Sequence, residues 1–151
     1  LHGAQEMLAA AGIAYAFEGV DIGALTLAPT VEATLGWAVR EAVTNVIRHS
    51  SARSCTIRLT QDADAVQLTV ANDGADGAVD QPTLGNGLRG LAERVAALGG
   101  AFAVGPVGDG AWRLLISAPR APAAGDRARV AAVAPAVNEG HRETLPAQVA
   151  R

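Results

Sequence analysis

The chain has 151 residues, half of them hydrophobic but only 3% aromatic, with a formal net charge of −3 and a pI near 5.5. This length suits one domain with a core of aliphatic residues. The acidic balance provides no basic surface, so no nucleic-acid partner is expected. No apolar run is long enough to cross a bilayer, and no signal peptide is recognisable. Because the chain begins with Leu1 rather than Met, we expect it to be a piece of a longer protein.

Two absences narrow the chemistry further. The chain contains no lysine, so its twelve basic residues are all Arg. A P-loop and an ordinary protein kinase each need a lysine on the nucleotide phosphates, and neither scheme is therefore available. The single Cys55 excludes an internal disulfide and a site of several cysteines. Its place in an alternating segment predicts a buried structural thiol.

The first part of the chain predicts two helices with strands between them. Period-two alternation indicates strands, and a Pro-Thr pair followed by helical spacing indicates the start of a long helix, with Thr30 as the expected N-cap. The expected elements are a helix at 1–11, strands at 13–17 and 24–27, and a helix from about 29 to 50.

The middle of the chain predicts two pairs of strands separated by a loop and a helix. The expected elements are strands at 54–61 and 65–72 with a hairpin turn at 62–64, a mobile loop at 73–85, a helix at 87–98, and strands at 102–104 and 112–117. This order predicts an α+β fold, a two-layer sandwich whose mixed sheet is covered on one face by helices. We expect one domain at 1–119 and an Ala- and Pro-rich tail at 120–151, disordered or weakly helical.

The segment 40–49, Arg-Glu-Ala-Val-Thr-Asn-Val-Ile-Arg-His, lies in the long helix. Residues three and four apart share one face of a helix. One face therefore carries a polar strip of Glu41, Asn45, Arg48 and His49. Beside it runs an apolar stripe: Leu35, Val39, Ala42, Val43 and Val46. Polar groups that border the core in this way suit a pocket for a metal ion and phosphate.

Asn72 ends a predicted strand on the face of its apolar residues. Taken alone, it is better explained as a strand-end Asn that begins a turn with Asp73 and Gly74. The alternative is an amide at the floor of a pocket, hydrogen-bonded to a ligand. Gly74 and Gly77 then allow the backbone to pass close to that ligand.

Gly85 and Gly87 precede and enter the second long helix. Free backbone N–H groups at a helix start bind anions, and glycine lets a phosphate approach them. By itself this pattern is more often a plain loop-to-helix turn. The loop before it, at 76–84, is long enough to fold over a ligand as a lid.

Together, in this order and at these intervals, the segments at 40–50, 72–77 and 85–91 resemble the N, G1 and G2 boxes of the GHKL ATPases. This Bergerat-fold superfamily includes gyrase-type topoisomerases, heat-shock chaperones, histidine kinases and mismatch-repair ATPases. The first segment, with the stretch at 85–100, is similar to sensor histidine kinases of the NarL/DesK/LiaS type. The resemblance covers roughly residues 1–119.

The resemblance implies ATP and Mg²⁺ as ligands. Asn45 would bind the Mg²⁺ that bridges the phosphates, and Glu41 would position or activate a water or a metal ligand. Arg48 and His49 would face the phosphates. Asn72 stands where the family usually has an Asp that reads the adenine amino group, and its carbonyl can accept the same hydrogen bond more weakly.

The glycine boxes carry the remaining implied nucleotide-binding residues. Gly74 matches the first glycine of the G1 motif, and the second is displaced to Gly77. Gly85 and Gly87, together with Leu88, form the part of the site where the lid and the helix start close on the phosphates.

The resemblance also implies phosphoryl transfer to a histidine on a separate dimerisation domain, followed by signalling to a response regulator. His2, His49 and His141 do not lie in suitable segments, so the accepting helix is expected upstream in a homodimeric protein. The expected location is cytoplasmic, with or without a membrane anchor elsewhere. Two alternatives stay open: another GHKL ATPase such as an anti-sigma-factor serine kinase, and a degenerate module that binds nucleotide or a partner protein without catalysis.

Overall fold

The computed structural model describes residues 2–74, 85–108 and 110–120. Residues 75–84 of the predicted loop at 73–85, with Gly77, and residues 121–151 of the predicted tail at 120–151 lie outside the described residues. The described elements are α1 His2–Ala10, β1 Ala14–Gly19, a 3₁₀ turn Ile22–Ala24, α2 Pro29–His49, β2 Ser54–Gln61, β3 Ala65–Asn72, α3 Asn86–Ala97, β4 Ala101–Pro106 and β5 Trp112–Pro119.

The described strands form one five-stranded sheet in the order β1-β2-β3-β5-β4. β1 runs parallel to β2, and the other neighbouring strands are antiparallel. The helices cover one face of this sheet, so the predicted α+β sandwich with a mixed sheet is confirmed. β4 is longer than predicted because its ladder with β5 runs from Ala101 to Pro106, and β5 continues to Pro119 because it pairs with the start of β3.

The core lies between the helices and the covered face of the sheet. The predicted apolar stripe of α2 is confirmed, because each of its five residues is at most 3% exposed. Aliphatic side chains of the sheet, with Phe102, complete the core. Burying each large aliphatic side chain stabilises the fold by about 1.5–3 kcal/mol, and this holds α2 firmly against the sheet. Among the described residues, no helix combines the length and the apolar character that a membrane span requires.

The start of α2 differs from the prediction. The N-cap is Ala28, with an extended backbone and no side-chain cap, and Pro29 is the first helical residue. Proline suits this position because its fixed φ is helical and its missing N–H has no partner there in any case. Thr30 therefore lies inside the first turn, where its carbonyl accepts a hydrogen bond from Thr34 Oγ1 at 2.8 Å.

The predicted short strand at 24–27 is wrong. The chain forms a 3₁₀ turn at Ile22–Ala24 and then runs to α2 without joining the sheet. The Asp21 carboxylate accepts a hydrogen bond from the Gly23 N–H at 3.0 Å, and the Asp21 carbonyl accepts one from the Ala24 N–H at 3.0 Å. These local bonds turn the chain before a strand can form.

Candidate functional site

α2 and α3 lie against each other in opposite directions. The guanidinium carbon of Arg94 is 4.3 Å from the centroid of the Trp37 ring. A Cβ on Gly90 would be 3.3 Å from Cη2 of the same ring, and one on Gly87 would meet the Glu41 carboxylate. Trp37 thus contacts the middle of α3, whereas Glu41, one turn later in α2, contacts the first turn of α3.

At position 87 a side chain would have to displace the Glu41 carboxylate from where it lies. A Cβ there would lie 2.7 Å from Oε2 of Glu41 and closer still to Oε1. Gly87 is the second residue of α3, and Glu41 is half-buried. The structure thus brings together a carboxylate and a glycine that the sequence places in two separate predicted boxes.

Asn45 lies one turn beyond Glu41, about 6 Å further along α2. Because the two helices run in opposite directions, this turn extends past the first residues of α3. The Nδ2 atom of Asn45 is buried and has no hydrogen-bond partner. Buried amides normally have partners, so this atom is an exception among the described residues. Rotating the amide by 180° exchanges its nitrogen and oxygen, so an oxygen can occupy the same position.

Arg48 and His49 occupy the last turn of α2, and both are exposed. Helical spacing places them on the side of Asn45. Within the described part of the chain, neither side chain forms an ion pair or a hydrogen bond. The structure therefore assembles Glu41, Asn45 and Gly87 and leaves these two cations at the solvent-facing edge of the group.

Asn72 is 5% exposed and shares the covered face of the sheet. Its Nδ2 donates a hydrogen bond to the Asp73 carbonyl at 2.5 Å, and its ladder partners are Cys55 and Trp112. Among the described residues, no donor reaches Oδ1, the side-chain oxygen of Asn72. The amide nitrogen therefore serves the local turn, while the oxygen remains an acceptor for a ligand.

Asp73 fixes the end of β3 to the start of β2. Its Oδ1 accepts hydrogen bonds from the N–H groups of Arg53 at 2.7 Å and Ser54 at 2.8 Å. The Ser54 N–H bond has the largest effect and lowers the pKa of the Asp73 carboxyl, burial opposes it, and the Arg53 N–H bond lowers the pKa further. Sequence reasoning assigned no role to this residue, although an Asp that follows a strand is a frequent acceptor for nearby N–H groups.

Gly74 is required by the chain's own backbone. Its φ is +79°, and a Cβ there would lie 2.5 Å from the backbone of both Ser51 and Ala52. The Ser51 N–H donates to the Gly74 carbonyl at 3.1 Å. This predicted G1 glycine therefore joins the end of β3 to the loop that leaves α2.

Cys55 is 1% exposed, which confirms the predicted buried thiol. Burial, and secondly the negative charge of Asp73, raise the pKa of this thiol to about 11. A thiol that stays protonated at neutral pH is a poor nucleophile. Cys55 therefore belongs to the structure of the sheet beside Asn72.

The start of α3 has no side-chain cap. Gly85 is the N-cap, nothing lies within 4 Å of the place of its missing Cβ, and the first turn has no acidic residue. The first N–H groups of a helix have no partner within it, so these groups and the helix dipole favour an anion here. Leu88 is 8% exposed and packs in the core, where it anchors this end of α3.

Among the described residues, no cluster of three or more His, Cys, Asp or Glu is placed to hold a metal ion. Mg²⁺ often takes one or two protein ligands together with phosphate oxygens and water, so it needs no such cluster. A cavity of about 500 Å³ lies elsewhere, between α1, the first half of α2 and the ends of β1 to β3. None of the predicted site residues lines this cavity.

Comparison of the sequence with curated proteins finds sensor histidine kinases. The chain is 36% identical over 100 residues to the sensor histidine kinase YvfT of Bacillus subtilis (strain 168), covering 66% of this chain and 26% of YvfT. It is 38% identical over 65 residues to DesK of the same organism, covering 42% of this chain and 18% of DesK. The chain thus spans about a quarter or less of the length of these relatives. No family model matches it.

Comparison of the structure with solved structures finds catalytic domains of histidine kinases. The nucleotide-free catalytic domain of ThkA has a TM-score of 0.62 at 15% identity, covering 79% of this chain and 87% of that one. Full-length ShkA in complex with AMPPNP has a TM-score of 0.59 at 20% identity, covering 81% of this chain and 29% of ShkA. At such identities the likeness establishes the fold.

The sequence similarity to sensor histidine kinases, together with the shared fold, identifies a GHKL-type ATPase domain. Within that class, the sequence similarity places the chain with the sensor histidine kinases, whose catalytic domains share its structure. The family predicted from the three motifs is therefore confirmed.

Proposed function

We propose that this chain is the ATP-binding catalytic domain of a sensor histidine kinase and presents Mg-ATP for phosphoryl transfer to a histidine of a separate dimerisation domain. The curated relatives, which are sensor histidine kinases several times longer than the matched region, support this function. The bound AMPPNP of the structurally similar ShkA supports ATP as the nucleotide.

The unpartnered amide of Asn45 is the observation that carries the proposal. Leaving a buried donor or acceptor without a partner costs about 1–3 kcal/mol. Without a ligand, the Asn45 amide is destabilising in this way. Helical geometry places it one turn beyond the Glu41–Gly87 contact, beside the start of α3. A ligand with oxygen atoms at this position would satisfy the amide.

The residues present fit a magnesium ion. An amide oxygen at Asn45 is a hard ligand of the kind that Mg²⁺ prefers, and a single protein ligand is adequate beside phosphate oxygens and water. When bound, the ion would neutralise negative charge on the phosphates during transfer. The half-buried Glu41 carboxylate, one turn away, would orient a water or a metal-bound ligand.

The remaining positive field comes from groups other than lysine. The uncapped N–H groups at the start of α3 lie beside the proposed phosphate position, and nothing lies within 4 Å of the missing Cβ of Gly85. Arg48 and His49 stand at the exposed edge of the same site, where their side chains can turn toward phosphate. Phosphoryl transfer depends mainly on this kind of positioning and charge neutralisation.

We assign recognition of adenine to Asn72. Its carbonyl oxygen is free to accept a hydrogen bond from the exocyclic amino group, while its Nδ2 is held by the Asp73 carbonyl. This internal bond fixes the orientation of the amide, so that the acceptor faces the covered side of the sheet. An adenine ring would receive one hydrogen bond here that guanine, with an oxygen at the same place, cannot donate.

The domain organisation and partners form part of the same proposal. The catalytic domain is proposed to cover residues 1–119. The next residue, Arg120, still donates its N–H to the Asp64 carbonyl and accepts a hydrogen bond from the Ala28 N–H, so the described fold continues through it. The full-length protein is proposed to be a cytoplasmic-facing homodimer whose phosphohistidine passes its phosphoryl group to a response regulator.

Calorimetric titration with ATP, with and without Mg²⁺, tests the proposal. The wild-type chain is expected to bind Mg-ATP, and Asn45→Ala is expected to lose the magnesium-dependent part of the affinity without a lower melting temperature. Gly36→Ala is the matched control, since Gly36 is an exposed residue of α2 with nothing within 4 Å of a new methyl group. Absence of binding at millimolar nucleotide would refute the function and favour a degenerate module.

The acid stability of the phosphorylated product distinguishes a histidine kinase from the other alternative, a serine kinase. A phosphohistidine formed on the dimerisation domain is lost in acid, whereas a phosphoserine on a partner protein survives. An acid-stable product would identify an anti-sigma-factor type of serine kinase.

A further inference from the structure

Trp37, Gly90 and Arg94 form a contact between α2 and α3 that the proposed mechanism does not use. Trp37 is half-buried, Gly90 is half-buried, and Arg94 is exposed. The Arg94 guanidinium lies over the indole face at 4.3 Å from its centroid. Among the described residues, Arg94 has no acidic partner within ion-pair distance, so the aromatic face is the contact that holds its charge.

Gly90 brings the two helices close at this point. A methyl group there would lie 3.3 Å from Cη2 of Trp37, which is tighter than ordinary van der Waals contact. Gly90 has no positive φ and lies inside α3, where alanine is the better helix former. Its small size, rather than its backbone freedom, therefore suits this position.

The same faces of the two helices carry the proposed phosphate site one turn away. Trp37 and Glu41 are four residues apart on α2, and Gly90 and Gly87 are three apart on α3, so each pair lies on one face. α3 is a short helix without a side-chain cap at its start. Its distance from Glu41 must therefore be set by packing further along the helix.

We propose that Trp37 and Arg94 are positioning residues, which with Gly90 form a helix clamp that sets the start of α3 against Glu41 and so fixes the geometry of the phosphate site. The helix clamp touches neither the nucleotide nor the metal. Its effect on ATP rests on the proposed function.

Mg-ATP affinity and melting temperature of the chain, measured on matched variants, test this role. Arg94→Met keeps the length of the side chain but removes the stacked cation, and Gly90→Ala pushes against Trp37 while favouring the helix. Each is expected to weaken Mg-ATP binding by about three- to tenfold, with a melting temperature close to that of the wild type. Should Arg94→Met fail to fold, Arg94→Lys, which loses the planar stack, carries the same test.

The double variant and an exposed glycine control sharpen the result. Because both changes act through one contact, the combined variant is expected to lose less than the product of the two single effects. Gly36→Ala, one residue from Trp37 and in open space, is expected to bind like the wild type. Wild-type affinity in both single variants would overturn the clamp while leaving the proposed function intact. A wild-type chain that binds no nucleotide would instead refute the function, and the clamp with it.

Tryptophan fluorescence provides a readout that a purely structural contact would not give. In a Trp112→Phe background, Trp37 is the only tryptophan of the chain. Mg-ATP is expected to change its emission, because a ligand held at the start of α3 acts on the same helix whose Arg94 is stacked on the Trp37 ring. This response is expected to be lost with Arg94→Met. Emission that does not respond to nucleotide in the Arg94-containing chain would contradict the coupling.

Discussion

The carboxylate of Glu41, in the middle of α2, lies directly against the Cα of Gly87, the second residue of α3. This contact joins the acidic residue of one predicted box to the glycine of another. It also places Asn45, with its unpartnered amide, one turn beyond the junction. At this junction the Glu41 carboxylate takes the place that a methyl group on residue 87 would need.

Gly87→Ala should separate stability from activity. The new methyl group displaces the flexible end of Glu41, which costs the fold little, and alanine favours the helix. Loss of a positioned acid–base group reduces a rate by about a hundredfold or more, so a decrease of at least tenfold in phosphoryl transfer by the full-length kinase is expected. Gly36→Ala on α2 is the control. A wild-type rate in Gly87→Ala would show that the Glu41 carboxylate is not needed where it lies.

Asn72→Ala should weaken selection of adenine. Losing one hydrogen bond from a buried site reduces the affinity for ATP by about tenfold, while binding of GTP changes less, so the preference for ATP falls. Competition between the two nucleotides measures the ratio. Gln67→Ala, on the opposite face of β3, controls for changes to the strand. An unchanged ratio would assign the adenine contact to another residue.

Asp73 should contribute to the acid dependence of stability. Its pKa is lowered in the folded chain, chiefly by the Ser54 N–H, so its contribution is present above the ordinary value of 3.8 and is lost as the pH falls below it. Urea unfolding between pH 2.5 and 7 should therefore show a shallower loss of stability below about pH 4 in Asp73→Asn than in the wild type. Glu93→Gln, on an exposed face of α3, is the matched control. Equal slopes in Asp73→Asn and the wild type would contradict this role.

Cys55 should react with thiol reagents only when the sheet opens. Its buried position beside Asn72 predicts slow labelling, and Mg-ATP at a hundred times its dissociation constant should slow it by about a hundredfold further. Asn45→Ala should remove this protection. Labelling of the native chain at the rate of a free thiol would contradict the burial.

The raised pKa of the Cys55 thiol also predicts that the folded chain loses stability at alkaline pH. In the folded chain the pKa is about 11, against an ordinary value of 9.0. As the pH rises through this range, the unfolded thiol ionises first and the free energy of unfolding falls. Cys55→Ala is expected to remove this pH dependence. Unfolding curves at pH 8 and pH 10 measure the change in the free energy of unfolding in the variant and in the wild type.

Local pattern alone predicted most of the fold. The apolar stripe of α2 and the alternation in β2 and β3 each specify an element through neighbouring residues, and all three elements were found. The errors lie where local hydrogen bonds compete with the pattern. Asp21 turns the chain at the expected strand, and Pro29 moves the start of α2 away from Thr30.

By itself, the sequence determined the residue types available for chemistry: an amide and a carboxylate one turn apart, glycines at a helix start, and no lysine. Their helical spacing follows from the chain geometry, so one segment is enough to establish it. The tertiary structure decided which of these groups meet. The Glu41–Gly87 contact, the stacking of Arg94 on Trp37 and the fixing of Asp73 to β2 all join residues far apart in the chain, and they exist only because burial of the common core brings α2, α3 and the sheet together.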